Sequence, residues 1–157
     1  MKKLLFSLAM LVSFASFSQD VSGPPYATAA GVKISSGVAF SYKKFVTVKN
    51  ALEAQALFFR EGVRVIGLYE FHYPLEGVSG LAWYVGPGAH VGVYGSKYKA
   101  INNTRTDLGI DGVIGLDFKI PNVPINLSLD WQPSFSILGN AGLQPQFGGV
   151  GIRYVLN

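Results

Sequence analysis

The segment VPINLSLDWQPSF, residues 123–135, alternates apolar and polar side chains with a period of two. Its odd-numbered positions are all apolar, and its even-numbered positions are polar apart from Pro124. Successive side chains of a β-strand point to opposite faces, so this pattern predicts a strand with one apolar and one polar face. Because the same period recurs along most of the chain, the fold must be a sheet whose two faces meet different surroundings.

Period-two patterns predict eight strands, at residues 28–36, 38–47, 51–60, 63–73, 81–94, 107–119, 123–135 and 146–156. The segment ALEAQALFFR at 51–60 has helical propensity, but the strands on either side leave a helix nothing to pack against, so we expect a strand there. The connections after the second and sixth strands are short. Those after the fifth and seventh, residues 95–106 and 136–145, are long. This layout predicts an all-β fold, an eight-stranded antiparallel up-and-down transmembrane β-barrel.

Composition indicates which face of the barrel points outward. Charged residues make up 14% of the chain, against roughly 25% in ordinary soluble domains. The polar phase of the strands is rich in glycine, which suits the interior of an eight-stranded barrel, because that interior is only just wide enough for side chains. The bulky apolar residues are too many for such an interior. We therefore expect them on the outer wall, facing lipid, where a closed barrel satisfies every backbone polar group.

The N-terminus has the features of a signal peptide over residues 1–18. Lys2 and Lys3 precede an apolar run at 4–17, and small residues at 16–18 suit a cleavage site. Residues 19–27 are then a lead segment and residues 28–157 the barrel. The chain has no cysteine, so we expect no lipoprotein anchor, disulfide or thiolate metal site. Without Lys2 and Lys3 the net charge of +4 falls close to balance, which does not suggest a nucleic-acid partner.

The C-terminal segment FGGVGIRYVL, residues 147–156, carries a resemblance together with the signal peptide and the alternating strands. The chain resembles the small integral outer-membrane β-barrel proteins of diderm bacteria. The resemblance implies localisation in the bacterial outer membrane, contact with outer-membrane lipids and insertion by the barrel-assembly machinery, which reads the last strand. In that family the last strand ends on an aromatic residue, whereas this chain ends on Asn157.

Aromatic residues are expected to form two girdles on the outer wall, one at each membrane interface. With the N-terminus in the periplasm, the periplasmic girdle comprises Phe45, Phe71, Tyr73, Trp83, Phe118 and Tyr154. The outer girdle comprises Phe58, Trp131, Phe135 and Phe147.

The polar phase of the strands predicts which charges lie inside the barrel. The expected cations are Lys33, Lys43, Arg64, Lys119 and Arg153, and the expected carboxylates are Glu53, Glu70, Asp111, Asp117 and Asp130. His72 and His90 share this phase, and we expect each to hydrogen-bond a carboxylate inside the barrel. A buried charge is costly unless it is paired, so equal numbers of each sign predict a structural network that fills the lumen. The alternative is a proton or ion path.

Three functions remain open. The first is a structural or interaction protein, such as an accessory subunit of a larger complex. The second, implied by the resemblance, is a lipid A-modifying enzyme, since some eight-stranded outer-membrane barrels are deacylases or palmitoyltransferases with a His, a Ser and an acid near the outer rim. The third is a narrow channel for small solutes. His72 is expected far from that rim and His90 has no serine close in sequence, so we assign no catalytic residue, cofactor or metal ligand.

The long connection at 95–106, GSKYKAINNTRT, is basic. Lys97, Tyr98, Lys99 and Arg105 are candidate contacts for lipopolysaccharide phosphates or a protein partner, because cations are attracted to anionic headgroups. The alternative is a solvated hairpin loop.

Overall fold

The computed structural model describes residues 24–95, 105–139 and 141–156. The strands are β1 (Thr28–Ile34), β2 (Gly37–Phe45), β3 (Asn50–Phe59), β4 (Gly62–Pro74), β5 (Leu81–Tyr94), β6 (Thr106–Lys119), β7 (Ile125–Trp131), β8 (Ser134–Leu138), β9 (Gly142–Gln144) and β10 (Gly148–Val155). Within these ranges no helix has the length and apolar character needed to cross a membrane. The expected signal peptide at 1–18 and the start of the lead segment lie outside the described residues.

The strands close into an eight-stranded antiparallel barrel. Neighbours along the chain pair from β1 to β6, and β1 pairs with β10 to close the wall. Residues 114–119 of β6 pair with β7 and residues 108–111 pair with β8, so β7 and β8 together form the seventh barrel strand. The predicted all-β up-and-down barrel of eight strands is therefore confirmed.

The seventh barrel strand is less regular than predicted. It was expected to run unbroken over 123–135, but it begins at Ile125 and breaks at Gln132-Pro133. Proline has no N–H for the strand ladder, and at this break the backbone N–H of Gly112 donates to the carbonyl of Pro133 at 2.9 Å. β8 then turns back as β9, which pairs with it. Part of the expected loop at 136–145 is therefore a short hairpin.

The third barrel strand follows the prediction despite its helical propensity. Residues 51–59 of the segment ALEAQALFFR lie in β3, which pairs along its length with β2 on one side and β4 on the other, and Arg60 begins the turn that follows. These two ladders bond the backbone of the segment, and its inward side chains fit the barrel interior. Tertiary pairing therefore overrides a local helical preference, which is worth only a few tenths of a kcal/mol per residue.

The apolar face of the strands points outward. In β7, Leu129 and Trp131 are 55% and 53% exposed, whereas Asn126, Ser128 and Asp130 are buried. The same alternation of exposed apolar and buried polar residues continues around the wall. Water-soluble barrels have the opposite arrangement, since they bury the apolar face.

Glycines on the inner face reflect how narrow the interior is. A Cβ atom added at Gly115 would lie 2.5 Å from the Cβ of Asp130 and 2.6 Å from the carbonyl oxygen of Leu129. A Cβ at Gly151 would lie 2.5 Å from the Oγ of Ser128. Glycine at these positions leaves the space that the larger polar side chains occupy.

Two aromatic residues expected in the girdles lie inside the barrel. Phe45 and Phe147 are 7% and 6% exposed. Phe45 shares the inward parity of Lys43 and packs edge-on against Tyr26, with 5.0 Å between ring centroids. Phe147 precedes β10, and its ring centroid is 4.2 Å from the guanidinium carbon of Arg64. The other aromatic residues of the two expected girdles are half-buried or exposed.

The two ends of the barrel differ in the connections that they carry. The turn end carries the connections at 46–49, 75–80 and 120–124, and the loop end carries those at 35–36, 60–61 and 95–105. Tyr26, in the lead segment, is buried at the turn end. The polar interior lies between these two ends.

Candidate functional site

Ionisable side chains fill much of the barrel interior. The buried cations of the described chain are Lys33, Lys43, Arg64 and Arg153, and the buried carboxylates are Glu53, Glu70, Asp107, Asp111, Asp117 and Asp130. His72 and His90 are buried with them. Four cations face six carboxylates among these residues, which differs from the equal numbers that we expected. Because an unpaired charge is expensive in a low-dielectric interior, the pairing of each group determines what the site can do.

Lys43 is the centre of the turn-side cluster, which comprises Lys43, Glu53, Glu70, His72, Asp117 and Arg153. Its ammonium nitrogen lies 2.7 Å from Glu70 Oε2, 3.1 Å from Glu53 Oε2 and 3.4 Å from Asp117 Oδ1. Neighbouring strands supply Lys43 and Glu53, which are direct partners in the β2–β3 ladder. One cation is thus shared by three carboxylates on three different strands.

Arg153 is the second cation of the turn-side cluster. Its Nη2 donates to Glu53 Oε1 at 2.7 Å, and its Nε donates to Ser41 Oγ at 2.7 Å. Its Nη1 donates to Asn126 Oδ1 at 3.0 Å and to Ser128 Oγ at 2.9 Å. The planar guanidinium therefore joins β10 to β2, β3 and β7 across the lumen.

Aromatic side chains close the turn-side cluster toward the turn end. The His72 Nε2 lies 2.9 Å from Glu70 Oε2, and its ring stacks on Tyr84 with 5.0 Å between centroids. The Tyr26 hydroxyl donates to Asp117 Oδ2 at 3.2 Å. Burial, with the negative charge of Asp117, raises the pKa of the Tyr26 hydroxyl well above its ordinary value. The phenol therefore remains a neutral hydrogen-bond donor at physiological pH.

A smaller group lies around Asp130, next to the turn-side cluster. The Lys33 ammonium is 2.6 Å from Asp130 Oδ1, and the Tyr84 hydroxyl donates to Asp130 Oδ2 at 2.6 Å. Lys33 also reaches the Oε1 of Gln132 at 3.4 Å. Each oxygen of this buried carboxylate thus has its own close partner.

Apolar side chains interrupt the polar interior. This apolar layer consists of Ala39, Leu57, Ile66, Leu68, Val113 and Phe147, packed with Tyr84. Along β4, Ile66 and Leu68 separate Arg64 from Glu70. The layer is not wholly apolar, because Lys33, Gln55 and Gln132 line the same small space as Ala39, Leu57 and Ile66. It therefore narrows the polar interior without dividing it into two separate halves.

The loop-side cluster lies beyond the apolar layer and comprises Arg64, Tyr94, His90, Asp107, Asp111, Ser136 and Gln144. Arg64 forms a short ion pair with Asp107. Its Nη2 also donates to Gln144 Oε1 at 2.9 Å and to the Tyr94 hydroxyl at 3.3 Å. The guanidinium, lying against Phe147, ties β4 to β6 and to the short hairpin strand β9.

His90 lies between two carboxylates in the loop-side cluster. Its Nδ1 is 2.9 Å from Asp111 Oδ2, and its Nε2 is 3.3 Å from Asp107 Oδ2. The Ser136 Oγ lies 3.4 Å from the same Nε2. This Ser–His–Asp grouping joins β5, β6 and β8, and its serine lies far from His90 in the chain, which is why inspection of nearby positions did not find it.

The geometry of the Ser136–His90–Asp111 grouping suits a structural role better than acyl transfer. A catalytic histidine accepts the serine proton on the nitrogen that faces the hydroxyl. Here that nitrogen lies 3.3 Å from Asp107 Oδ2 as well as 3.4 Å from the serine hydroxyl, so the contact with the serine is long and shared with a carboxylate. Ser136 is fully buried and accepts a hydrogen bond from Gln144 Nε2 at 3.0 Å.

Most of the charged residues expected in the lumen belong to these groups, but Lys119 does not. Lys119 is half-buried at the end of β6, and its ammonium donates to the backbone carbonyls of Ile120 and Val123 at 2.9 and 2.7 Å. Lys119 therefore stabilises the connection at 120–124 at the turn end. Of the candidate loop contacts, Arg105 is exposed, and Lys97, Tyr98 and Lys99 lie outside the described residues.

Sequence reasoning missed several members of the interior. Asp107 has the same parity as Asp111 and Asp117, so period-two counting carried one step further would have found it. Tyr84 and Tyr94 are on the polar phase of β5 and could have been found in the same way. Tyr26 lies before β1, and no strand pattern in the sequence indicates its contact with Asp117.

Comparisons with family models, with curated proteins and with solved structures give no match. Among the described residues, no group of three or more His, Asp or Glu side chains could hold a metal ion. The function must therefore be inferred from the geometry of the barrel itself.

Proposed function

We propose that the chain is an integral protein of a bacterial outer membrane whose lumen is closed by paired charges, and that it acts as a structural or interaction protein, such as an accessory subunit. The observation that carries the proposal is the inverted distribution of polarity. Leu129 and Trp131 are more than half exposed, whereas Lys43, Glu53 and Arg153 are almost fully buried. Lipid is the solvent that suits such a wall, because hydrocarbon accepts the exposed apolar side chains without cost.

Folding into vesicles tests membrane insertion. Urea-denatured protein, diluted into phospholipid vesicles, should float with the vesicles and migrate on an SDS gel differently before and after boiling. A barrel that keeps its fold without lipid would instead be monodisperse in detergent-free buffer. That second result would overturn the proposal, since an outer wall of this composition must aggregate in water.

The filled lumen supports the interaction role. A barrel whose interior is filled can still bind a partner through its outer wall and its connections. The basic connection at 95–106 is the candidate contact for a protein partner. A photo-crosslinking residue placed at Tyr98 should give a discrete adduct in intact cells. The matched control is Val78, exposed in a connection at the opposite end. Equal labelling from both positions would argue against a partner at 95–106.

The Ser136–His90–Asp111 grouping favours one second candidate, a lipid-modifying acyl hydrolase or transferase. If the enzyme hypothesis holds, Ser136→Ala must change the acylation of lipid A in cells that carry it, whereas Ser134→Ala, a neighbouring buried serine, must not. We expect neither variant to change the lipid A mass spectrum, because Ser136 is buried inside the barrel and its contact with His90 is long, at 3.4 Å. A shift seen only with Ser136→Ala would establish the enzyme and remove the purely structural proposal.

A further inference from the structure

Lys44 departs from the pattern of the outer wall. Of the charged residues on the described strands, it is the one whose side chain points outward, and Lys43 beside it points inward. Within the described residues its ammonium has no hydrogen bond or ion pair. A charge on a lipid-facing wall is costly at mid-membrane but tolerated near an interface. Lys44 is the second-last residue of β2, close to the turn end, where such an interface would lie.

Gly67 is a second exception on the same side of the wall. It lies in the middle of β4 with its Cα opposite Ala54 and Ala89 on the neighbouring strands. A Cβ added there would meet no other heavy atom within 4 Å, so the barrel's own packing does not require a glycine. Glycine inside a strand weakens it and often marks close approach of a ligand or another backbone.

These two exceptions line the same groove on the outer wall. The groove has a volume of about 640 Å³, and its outward side chains include Tyr42, Lys44, Leu52, Ala54 and Pro87, with Gly67 at its floor. A second groove of about 570 Å³ adjoins it, sharing Tyr42 and Ala54 and extending past Phe40 and Ala56. Tyr42 and Ala54 thus lie where the two apolar grooves meet, and Lys44 lies at the turn-end side of the pair.

We propose that this surface binds one anionic phospholipid of the inner leaflet, with its phosphate on the Lys44 ammonium and its two acyl chains in the two grooves. The inference rests on the proposed membrane insertion. From Lys44, the paired residues of β2 and β3 lead toward the loop end, first Tyr42 with Ala54 and then Phe40 with Ala56. A lipid held in this way therefore has its headgroup at the turn end and its chains toward mid-membrane, as in a bilayer.

The charge at Lys44 also decides against a second copy of the chain as the occupant. A symmetric dimer brings the same patch of both subunits together. Such a contact would place two Lys44 ammonium groups in one interface, and the lining residues of the two grooves provide no outward carboxylate to pair with them. A phosphate diester supplies the missing negative charge.

Lipid retention tests the site. Protein folded in vesicles with equal amounts of phosphatidylglycerol and phosphatidylethanolamine, of identical acyl chains, is extracted in mild detergent and examined by native mass spectrometry. The wild type should retain one phospholipid, with phosphatidylglycerol enriched about fivefold, as expected for one cation near an anionic headgroup. Lys44→Gln should remove this preference, whereas the control Arg60→Gln, in an exposed turn at the loop end, should keep it.

Filling the groove gives an independent test. Gly67→Phe should lower retention of both lipids at least several-fold, and Val63→Phe, on the same strand but outside the grooves, should not. Heat-modifiable migration on an SDS gel is measured first for each variant, so that a variant that fails to fold is recognised. If Gly67→Phe fails to fold, the lipid preference of Lys44→Gln decides whether the site exists. Equal retention of the two lipids by wild type, a dimer mass, or unaltered retention in Gly67→Phe would overturn the site. Failure of the wild type to insert would overturn the membrane proposal itself.

Discussion

Single residues in the interior do several tasks at once. Lys43 contacts three carboxylates, and Arg153 donates to Ser41, Asn126, Ser128 and Glu53. Removing either cation leaves carboxylates buried with too little opposite charge. The loss then includes the desolvation of the remaining groups, which is why breaking a buried pair is much more destabilising than breaking a surface pair.

Arg153→Met should therefore lower the free energy of unfolding by about 3–5 kcal/mol, because it leaves Glu53 with Lys43 as its remaining cation. The measurement is urea unfolding in vesicles, followed by fluorescence of Trp83 and Trp131. The control Arg60→Met, in an exposed turn, should change stability by less than about 0.5 kcal/mol. Similar small effects of both variants would contradict a charge-paired lumen.

Glycines give a second residue-level prediction. Gly115→Ala places a methyl group against Asp130 and the Leu129 carbonyl and should cost about 1–3 kcal/mol, as overpacking does. Gly67→Ala meets no neighbour and should stabilise the barrel by about 0.5–1 kcal/mol, since alanine loses less conformational freedom on folding. The same unfolding assay applies. Equal effects of the two substitutions would show that the interior is not crowded.

At the level of elements, β7 shows how the two faces of one strand contact different environments. Its even-numbered residues bond inward to Arg153 and Tyr84, and its odd-numbered residues from Leu127 to Trp131 are exposed. A shift of one residue in register would move every one of these side chains to the wrong face. The contacts of both faces therefore specify the register of β7.

The two faces of β7 can be separated by matched substitutions. Leu127→Arg, on the outer wall, should cost about 2–4 kcal/mol if it lies near mid-membrane. Ser128→Arg, pointing inward, should impair folding for a different reason, since the lumen beside Gly151 and Arg153 has no room. Leu127→Arg should therefore be better tolerated in detergent micelles than in vesicles, and Ser128→Arg should fail in both. Equal, mild effects in vesicles would contradict the assignment of faces.

Elements also show where local patterns stop being informative. The alternation over 123–135 runs without interruption through Gln132 and Pro133, yet the strand breaks there because proline cannot donate to the ladder. The break lets Gln132 remain inside, where its backbone N–H donates to the carbonyl of Phe147 at 3.0 Å. Phe147, expected on the outer wall, is inside, and it has the same odd-numbered parity as Gly151 and Arg153, which are buried.

For the whole molecule, the paired charges and the apolar layer together fill the lumen. We expect wild-type protein in planar bilayers to show no current above the bare-membrane baseline. Arg153→Ala, on the turn side of the layer, should leave that baseline unchanged, because the layer remains. Replacing Leu57 and Leu68 by serine should admit water into the lumen and give measurable steps in the current. Steady currents through the wild type would instead support the channel hypothesis.

The sequence by itself determined the number of barrel strands, their approximate limits and the face on which most residues lie. These follow from side-chain alternation, a local property that a strand carries whatever it pairs with. Only the tertiary structure decided which charges meet, such as Arg153 with Glu53, 100 residues apart, and where an apolar layer lies among them. Those contacts depend on the register and stagger of strands distant in the chain, which no local pattern encodes.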